Sequence, residues 1–249
     1  MSQMDVFREN ARFAISELRD GLHEPLTSEQ QQKLLYLLSG HHRVAGICTL
    51  LTEADVPGFR QELVRSAEAR IQLLKLGAGQ PPTHVQATSH VGSFFDAIAA
   101  GADALALEIA RLSPVRWLGG EEWEEDFRYA RFLHVLLLEG LRPSPEVETA
   151  LSAFQHADEG GERPSPRRLL CEAFFSREQK AFDLAFDDLL HERELEALER
   201  EKSGPLSHPA RHHTEKHVFI EGLALLHLAH SCGLKTRPEY PMVPGIARR

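Results

Sequence analysis

The chain is poor in cysteine. Cys48, Cys171 and Cys232 are three among 249 residues, far apart and odd in number. That excludes a disulfide framework and any paired-cysteine metal motif, and it fits a reducing cytoplasm. Basic residues are also short, with 28 Lys and Arg against 37 Asp and Glu, for a formal net charge of −9. Phosphate contacts need clustered Lys and Arg, so a general nucleic-acid binder is not expected. No apolar run is long. Leu133 to Leu138 and Val218 to Ala229 are the most apolar stretches, and both are too short to span a bilayer. The first ten residues carry Asp5, Arg8 and Glu9 and no apolar stretch, so a secretory signal is not expected. A cytoplasmic protein without membrane or nucleic-acid contacts is the expectation.

Strand signals are missing too. Alternating β-branched runs are absent, and the apolar segments are rich in Leu and Ala, which favour helix. What remains is helical period punctuated by Pro and Gly. Phe7, Ala11, Ala14 and Leu18 share one face, with Gly21 as a stop. Ser28 and Gln31 read as a capping box opening a helix through Leu38, which Gly40 breaks or kinks before Val44, Ile47 and Leu51. Phe59, Leu63, Ala67, Ile71 and Leu74 make the next face, ended by Gly77 to Pro82. A fourth helix runs from Phe94 through Ile98, Ala102, Leu105 and Ile109 to Leu112.

The second half repeats the pattern. Trp123, Phe127, Ala130 and His134 form a stripe, with Gly140 as the stop and Trp123 expected to face the core. Ser144-Pro145 is an N-cap and N1 pair for a short helix to Phe154. His156 to Pro166, containing Gly160-Gly161, is a loop, and Leu169 to Phe174 a short helix. Ser176 to Gln179 reads as a capping box before Phe182, Ala185, Phe186, Leu189 and Leu190, the strongest amphipathic signal in the chain. A polar loop then leads to an all-round apolar helix from Val218 to Ala229. The expectation is an all-α fold of about nine helices in an antiparallel array or bundle without a sheet. It forms a single domain over 1–249, divisible into 1–155 and 165–249.

Fourteen histidines raise the question of a metal. On one continuous helix His213, His217 and Glu221, each four apart, would share a face, and Asp187 and His191 offer a second pair on the preceding helix. These five would carry a helical metal-dependent enzyme. Thr214 follows His213 where the zincin pattern needs Glu, and the Glu-and-His pair three apart of di-iron proteins is missing. The plainer reading places His212 and His213 in a polar loop and pairs His217 with Glu221. It makes His227 and His230 hydrogen-bonded core residues, and it assigns the His-rich stretch 208–230 no metal. No Gly-x-Ser-x-Gly elbow or P-loop occurs, and the cysteines lie on apolar faces, so catalytic residues and cofactors are not expected.

The densest charge cluster is Glu121, Glu122, Glu124, Glu125 and Asp126 around Trp123. Acids at a helix start complement its dipole. They also make a contact surface for a basic partner, with Trp123 as an anchor, and these five are the candidate partner-binding residues.

The order of features from Trp123 onward resembles the immunity protein 49 family of bacterial polymorphic-toxin systems. The matching residues are Trp123, Phe182 to His191, Glu221 to Leu228 with its Gly-Leu-Ala-Leu-Leu run, Gly233, and Tyr240 followed by Pro241 and Pro244. The tail reads Tyr-Pro-Met-Val-Pro where the family pattern suggests Tyr-Leu-Pro. The N-terminal half matches only in being helical and of suitable length. The resemblance implies an all-α, non-enzymatic protein that binds and neutralises a cognate protein toxin, with a basic domain such as a nuclease as one suitable target. A helical adaptor or scaffold differs from this only in its partner. The resemblance singles out no toxin-contacting residues.

Overall fold

A computed structural model describes residues 2–159, 163–202 and 209–248. Gly160-Gly161 of the mid-chain loop and His208 lie outside them. The described chain forms α1 (Gln3–Gly21), α2 (Ser28–Glu53), α3 (Val56–Leu76), a 3-10 turn (His84–Gln86), α4 (Gly92–Ala99) and α5 (Asp103–Leu112). There follow α6 (Glu124–Leu138), α7 (Pro145–Ala157), α8 (Pro166–Ser176), α9 (Gln179–Lys202), α10 (Pro209–Glu215), α11 (Ile220–Ser231) and a closing 3-10 turn (Gly245–Arg248). The fold is all-α. Among the described residues the only β pairing is two isolated bridges, Gly119 with Glu122 and Tyr240 with Val243.

The eleven helices exceed the expected nine for two reasons. The stretch from Phe94 to Leu112 divides at Gly101. There φ is 73°, and the Gly101 and Ala102 N–H groups bond back to the Ile98 and Ala97 carbonyls at 3.0 and 2.8 Å, closing α4 with a left-handed cap. The expected polar loop also holds a short helix, α10.

Three local expectations need correction. The box that opens α2 is Thr27 with Gln30, one residue earlier, which frees the Ser28 hydroxyl to donate to the Leu76 carbonyl. Gly40 does not break α2. Leu35 and Leu38 before it and Val44, Ile47 and Leu50 after it are all buried, and their burial outweighs the roughly 1 kcal/mol that a mid-helix glycine costs. Ser176 closes α8 instead of opening α9. Arg177 adopts a left-handed φ of 60°, and the Glu178 carboxylate accepts the Lys180 and Ala181 N–H groups. Ser144 caps α7 and Gly140 stops α6 with φ of 66°, both as expected.

Helix α2 packs against both α1 and α3, α4 and α5 pack on α3, α6 pairs with α7, α8 pairs with α9, and α11 packs against α4. One buried cluster runs from Ala11 to Ala247. Several of the C-terminal residues that carry the family resemblance meet there. Phe182 stacks on Phe186, whose ring takes Tyr240 edge-on at 5.0 Å. Gly222 lies so close to Phe219 and Val243 that an added Cβ would stand 2.7 and 2.9 Å from their side chains. The Phe219 N–H donates to the Met242 carbonyl at 2.7 Å, pinning the tail turn to α11.

Candidate partner-binding surface

The chain has two tryptophans, and both are exposed. Trp123 is 81 % exposed and Trp117 42 %, on the connection between α5 and α6, with Val115 at 63 % beside them. The expectation that Trp123 faces the core is wrong. It sits at the N-cap of α6, one position before the helical stripe begins, so Phe127, Ala130 and His134 turn inward without it. Trp117 was not anticipated. Its signal was available, however: the chain's two indoles flank the turn residues Gly119-Gly120.

This connection is held from below by successive polar contacts. Arg70 on α3 is buried, and its guanidinium donates to the carbonyls of Val85, Gln86 (3.0 Å) and Ala87 (2.8 Å). Carbonyl caps of this kind fix the 3-10 turn on the core. Beyond that turn, Thr88 Oγ1 donates to the Pro114 carbonyl at 2.7 Å. The Ser89 N–H donates to one oxygen of Glu122 at 2.8 Å, while the Leu118 N–H donates to the other at 3.1 Å. The Trp117 indole N–H closes on the Glu122 carbonyl at 3.0 Å, and His84 Nδ1 donates to the Glu121 carbonyl at 3.0 Å. A loop held at this many points fixes the Trp117 indole and the backbone that carries Trp123.

The five acidic residues fall into different roles. Glu122 is consumed by the two backbone N–H groups. Glu124 pairs with Arg128 at 2.8 Å, and Asp126 with Arg167 at 3.3 Å. Glu121 lies 3.5 Å from His84 Nδ1, and Glu125 is exposed. Partial burial, then the negative charges of Asp158 and Asp126, hold the Glu125 carboxyl above its usual range. Among the described residues neither Glu121 nor Glu125 has a Lys or Arg in an ion pair.

The residues considered for a metal are not brought together. The break between α10 and α11 takes His213 and His217 off the helix that carries Glu221. His213 stacks on Phe7 of α1, His217 and His191 are exposed, and Asp187 pairs with Arg237. Glu221 does not pair with His217. It accepts the Tyr129 hydroxyl at 2.8 Å and two nitrogens of Arg167 at 2.9 and 3.0 Å, joining α6, α8 and α11. Glu215 is likewise structural, pairing with Arg211, Arg43 and Arg193 at 2.9, 3.3 and 3.6 Å. Burial would raise its carboxyl, but the three guanidiniums outweigh burial and hold it low. Among the described residues no group of three His, Cys, Asp or Glu is arranged to hold a metal ion.

The remaining histidines and cysteines also have structural surroundings. His227 is partly exposed 3.1 Å from Asp103, and His230 is exposed, because both lie on the outer edge of α11 and not inside the core as expected. Among the described residues two histidines are buried: His42 Nδ1 meets the Glu62 carboxylate at 2.6 Å, whereas the ring of His134 meets Phe94 edge-on at 4.6 Å and has no hydrogen-bond partner on either nitrogen. Cys48 and Cys171 are buried, and burial raises both thiols. None of the described helices is long and apolar enough to cross a membrane.

No curated protein and no solved structure matches the chain. One family model does, that of immunity protein 49, over residues 26–246. The likeness therefore extends well beyond the C-terminal half to which the sequence motifs confined it, and takes in the Arg70 anchor, both tryptophans and the tail turn. With a match from α2 to the closing turn, the chain belongs to the immunity protein 49 family.

Proposed function

We propose that this chain is a cytoplasmic immunity protein that acts as one unit over 1–249, binding a cognate bacterial toxin and blocking its active site or another essential surface without turnover. The observation that carries this reading is the family match over residues 26–246. The anatomy agrees with it. An inhibitor needs a preformed face and a few anchors, and it needs no machinery for chemistry. The acidic balance of the chain favours fast capture of a basic target such as a nuclease domain. The polar clusters serve as clasps between helices, and no cofactor is invoked.

Expression of the adjacent toxin gene in a heterologous bacterium, with and without this chain, tests the reading. Growth arrest by the toxin alone and restored growth with the chain are expected. Persistent killing in the presence of well-expressed chain contradicts it.

A further inference from the structure

Large apolar side chains are exposed at several places, including Val6 and Phe13 on α1 and Leu184, Leu195 and Leu198 on α9. These project from regular helix surfaces. The stretch from Val115 to Trp123 differs in three respects. It concentrates three exposed apolar residues within nine positions, two of them the chain's only tryptophans. It is locked by hydrogen bonds that trace back to buried Arg70. It also carries a local excess of negative charge, five acids against Arg116 and Arg128 between residues 115 and 128.

We propose that Trp117 and Trp123 are the anchors of the toxin-binding face, and that their occupant is an arginine- and lysine-rich surface of the toxin, whose cations meet Glu121 and Glu125. The proposal rests on the immunity reading above and adds to it where the partner sits and what its chemistry is. Indoles are the side chains most enriched among binding hot spots, because they bury a large area at little cost in conformational entropy. A guanidinium both stacks on an indole face and pairs with a carboxylate beside it. Within the acidic cluster the chain already supplies Arg128 for Glu124 and Arg167 for Asp126. Glu121 and Glu125 are the two left for cations from outside. Glu125 is exposed in the first turn of α6, between Glu124 and Asp126.

Charge of the same kind elsewhere does not serve. The acids along the second half of α9 (Glu194, Glu196, Glu199 and Glu201) have no Phe, Trp or Tyr among them in the sequence, and Glu196, Glu199 and Glu201 pair with Arg193, Lys202 and Lys216. The apolar patch on α1 around Phe13 has Arg12 paired with Glu9 beside it, and the helix carries four acids against three arginines, an excess of one where the stretch from 115 to 128 has an excess of three.

The test titrates the full chain against the catalytically disabled product of the adjacent toxin gene by calorimetry. Four variants are compared: Trp117→Ala, Trp123→Ala, the double reversal Glu121→Lys with Glu125→Lys, and Phe13→Ala as a distant control. Melting curves accompany each variant. Since Trp123 is almost wholly solvent-exposed, its replacement leaves the fold intact. Each tryptophan variant is expected to weaken binding by about 30-fold or more, the size of a hot-spot loss. The charge reversal should weaken binding and flatten its dependence on salt concentration, and Phe13→Ala should bind like wild type. If wild type binds while the tryptophan and charge variants bind equally well, the toxin docks elsewhere and the immunity reading survives alone. If wild type itself does not bind, the immunity reading fails and this surface assignment falls with it.

Discussion

The carboxylate of Glu122 and the backbone N–H of Ser89 meet at 2.8 Å, tying the exposed connection before α6 to the segment that buried Arg70 fixes on α3. The second Glu122 oxygen takes the Leu118 N–H, so one side chain joins two stretches of chain that would otherwise leave donors unpaired. An acid at this place thus serves the architecture of the loop. The indoles of Trp117 and Trp123, the anchors proposed above, stand on either side of it.

Replacing Glu122 by Ala removes both acceptors and is expected to cost about 1–3 kcal/mol of stability. Glu122→Gln keeps one acceptor oxygen and should cost less. Urea denaturation of the two variants checks the order. An alanine variant as stable as wild type contradicts the clamp.

Glu221 joins Tyr129 and Arg167 across three helices, so its loss leaves the buried Tyr129 hydroxyl without its acceptor and Arg167 with Asp126 as its remaining acid partner. Glu221→Ala is expected to destabilise by about 1–3 kcal/mol, the scale for leaving a buried hydroxyl without its acceptor, with the half-exposed Arg167 adding less. Tyr129→Phe, which leaves the Arg167 pair intact, should cost about 1 kcal/mol. Equal losses in the two variants, measured by denaturant titration, would show that the ion pair contributes nothing beyond the hydroxyl contact.

His134 predicts a pH dependence. Burial, followed by the charges of Arg131 and Arg70, depresses its folded pKa to about 3, whereas an unfolded histidine titrates near 6.5. The unfolded chain therefore binds the proton first as pH falls. The stability that the neutral ring carries is present above about pH 6.5 and is lost progressively toward pH 3. Half-buried His90, pushed down to about 4 chiefly by burial, acts in the same direction. His134→Leu should raise stability at neutral pH, because two unsatisfied ring nitrogens leave the core, and should flatten the decline between pH 6.5 and 4. Melting temperatures at several pH values decide. An unchanged slope with lower stability throughout contradicts this account.

Ala54 closes α2 in the left-handed region with φ of 52°, whereas Gly101 occupies the corresponding place after α4 with φ of 73°. Ala54→Gly should stabilise by about 0.5–1 kcal/mol, and Gly101→Ala should destabilise by about 1 kcal/mol. Thermal denaturation of the two exchanges should move in opposite directions. Parallel shifts would exclude backbone conformation as the cause.

Helix faces were legible in the sequence wherever apolar spacing decided them. Phe59, Leu63, Ala67, Ile71 and Leu74 are all buried, as are Phe182, Ala185, Phe186, Leu189 and Leu190. Helix ends were less legible. Thr27 and Ser28 both fit a capping pattern, and only the Ser28 contact with Leu76, distant in sequence, distinguishes them. Gly40 and Gly101 look alike in sequence, yet one lies within a helix whose flanks are buried on both sides and the other takes a left-handed turn. The candidate surface was half legible. The acidic cluster stood out by composition. The exposure of Trp123 depended on its falling one residue before the first turn of α6, and the role of Trp117 depended on a clamp built from residues 84–89. The expected pair of His217 with Glu221, and the alternative metal set, both assumed one continuous helix across the break between α10 and α11.

The most direct test of the central claim is a titration of toxin activity with purified full-length chain, read at several times after mixing. Neutralisation by binding predicts activity that falls linearly, reaches its floor near one chain per toxin, and does not change further with time. Continued inactivation by a small fraction of an equivalent would mark turnover, and no loss of activity at excess chain would remove the inhibitor reading; either result contradicts the account.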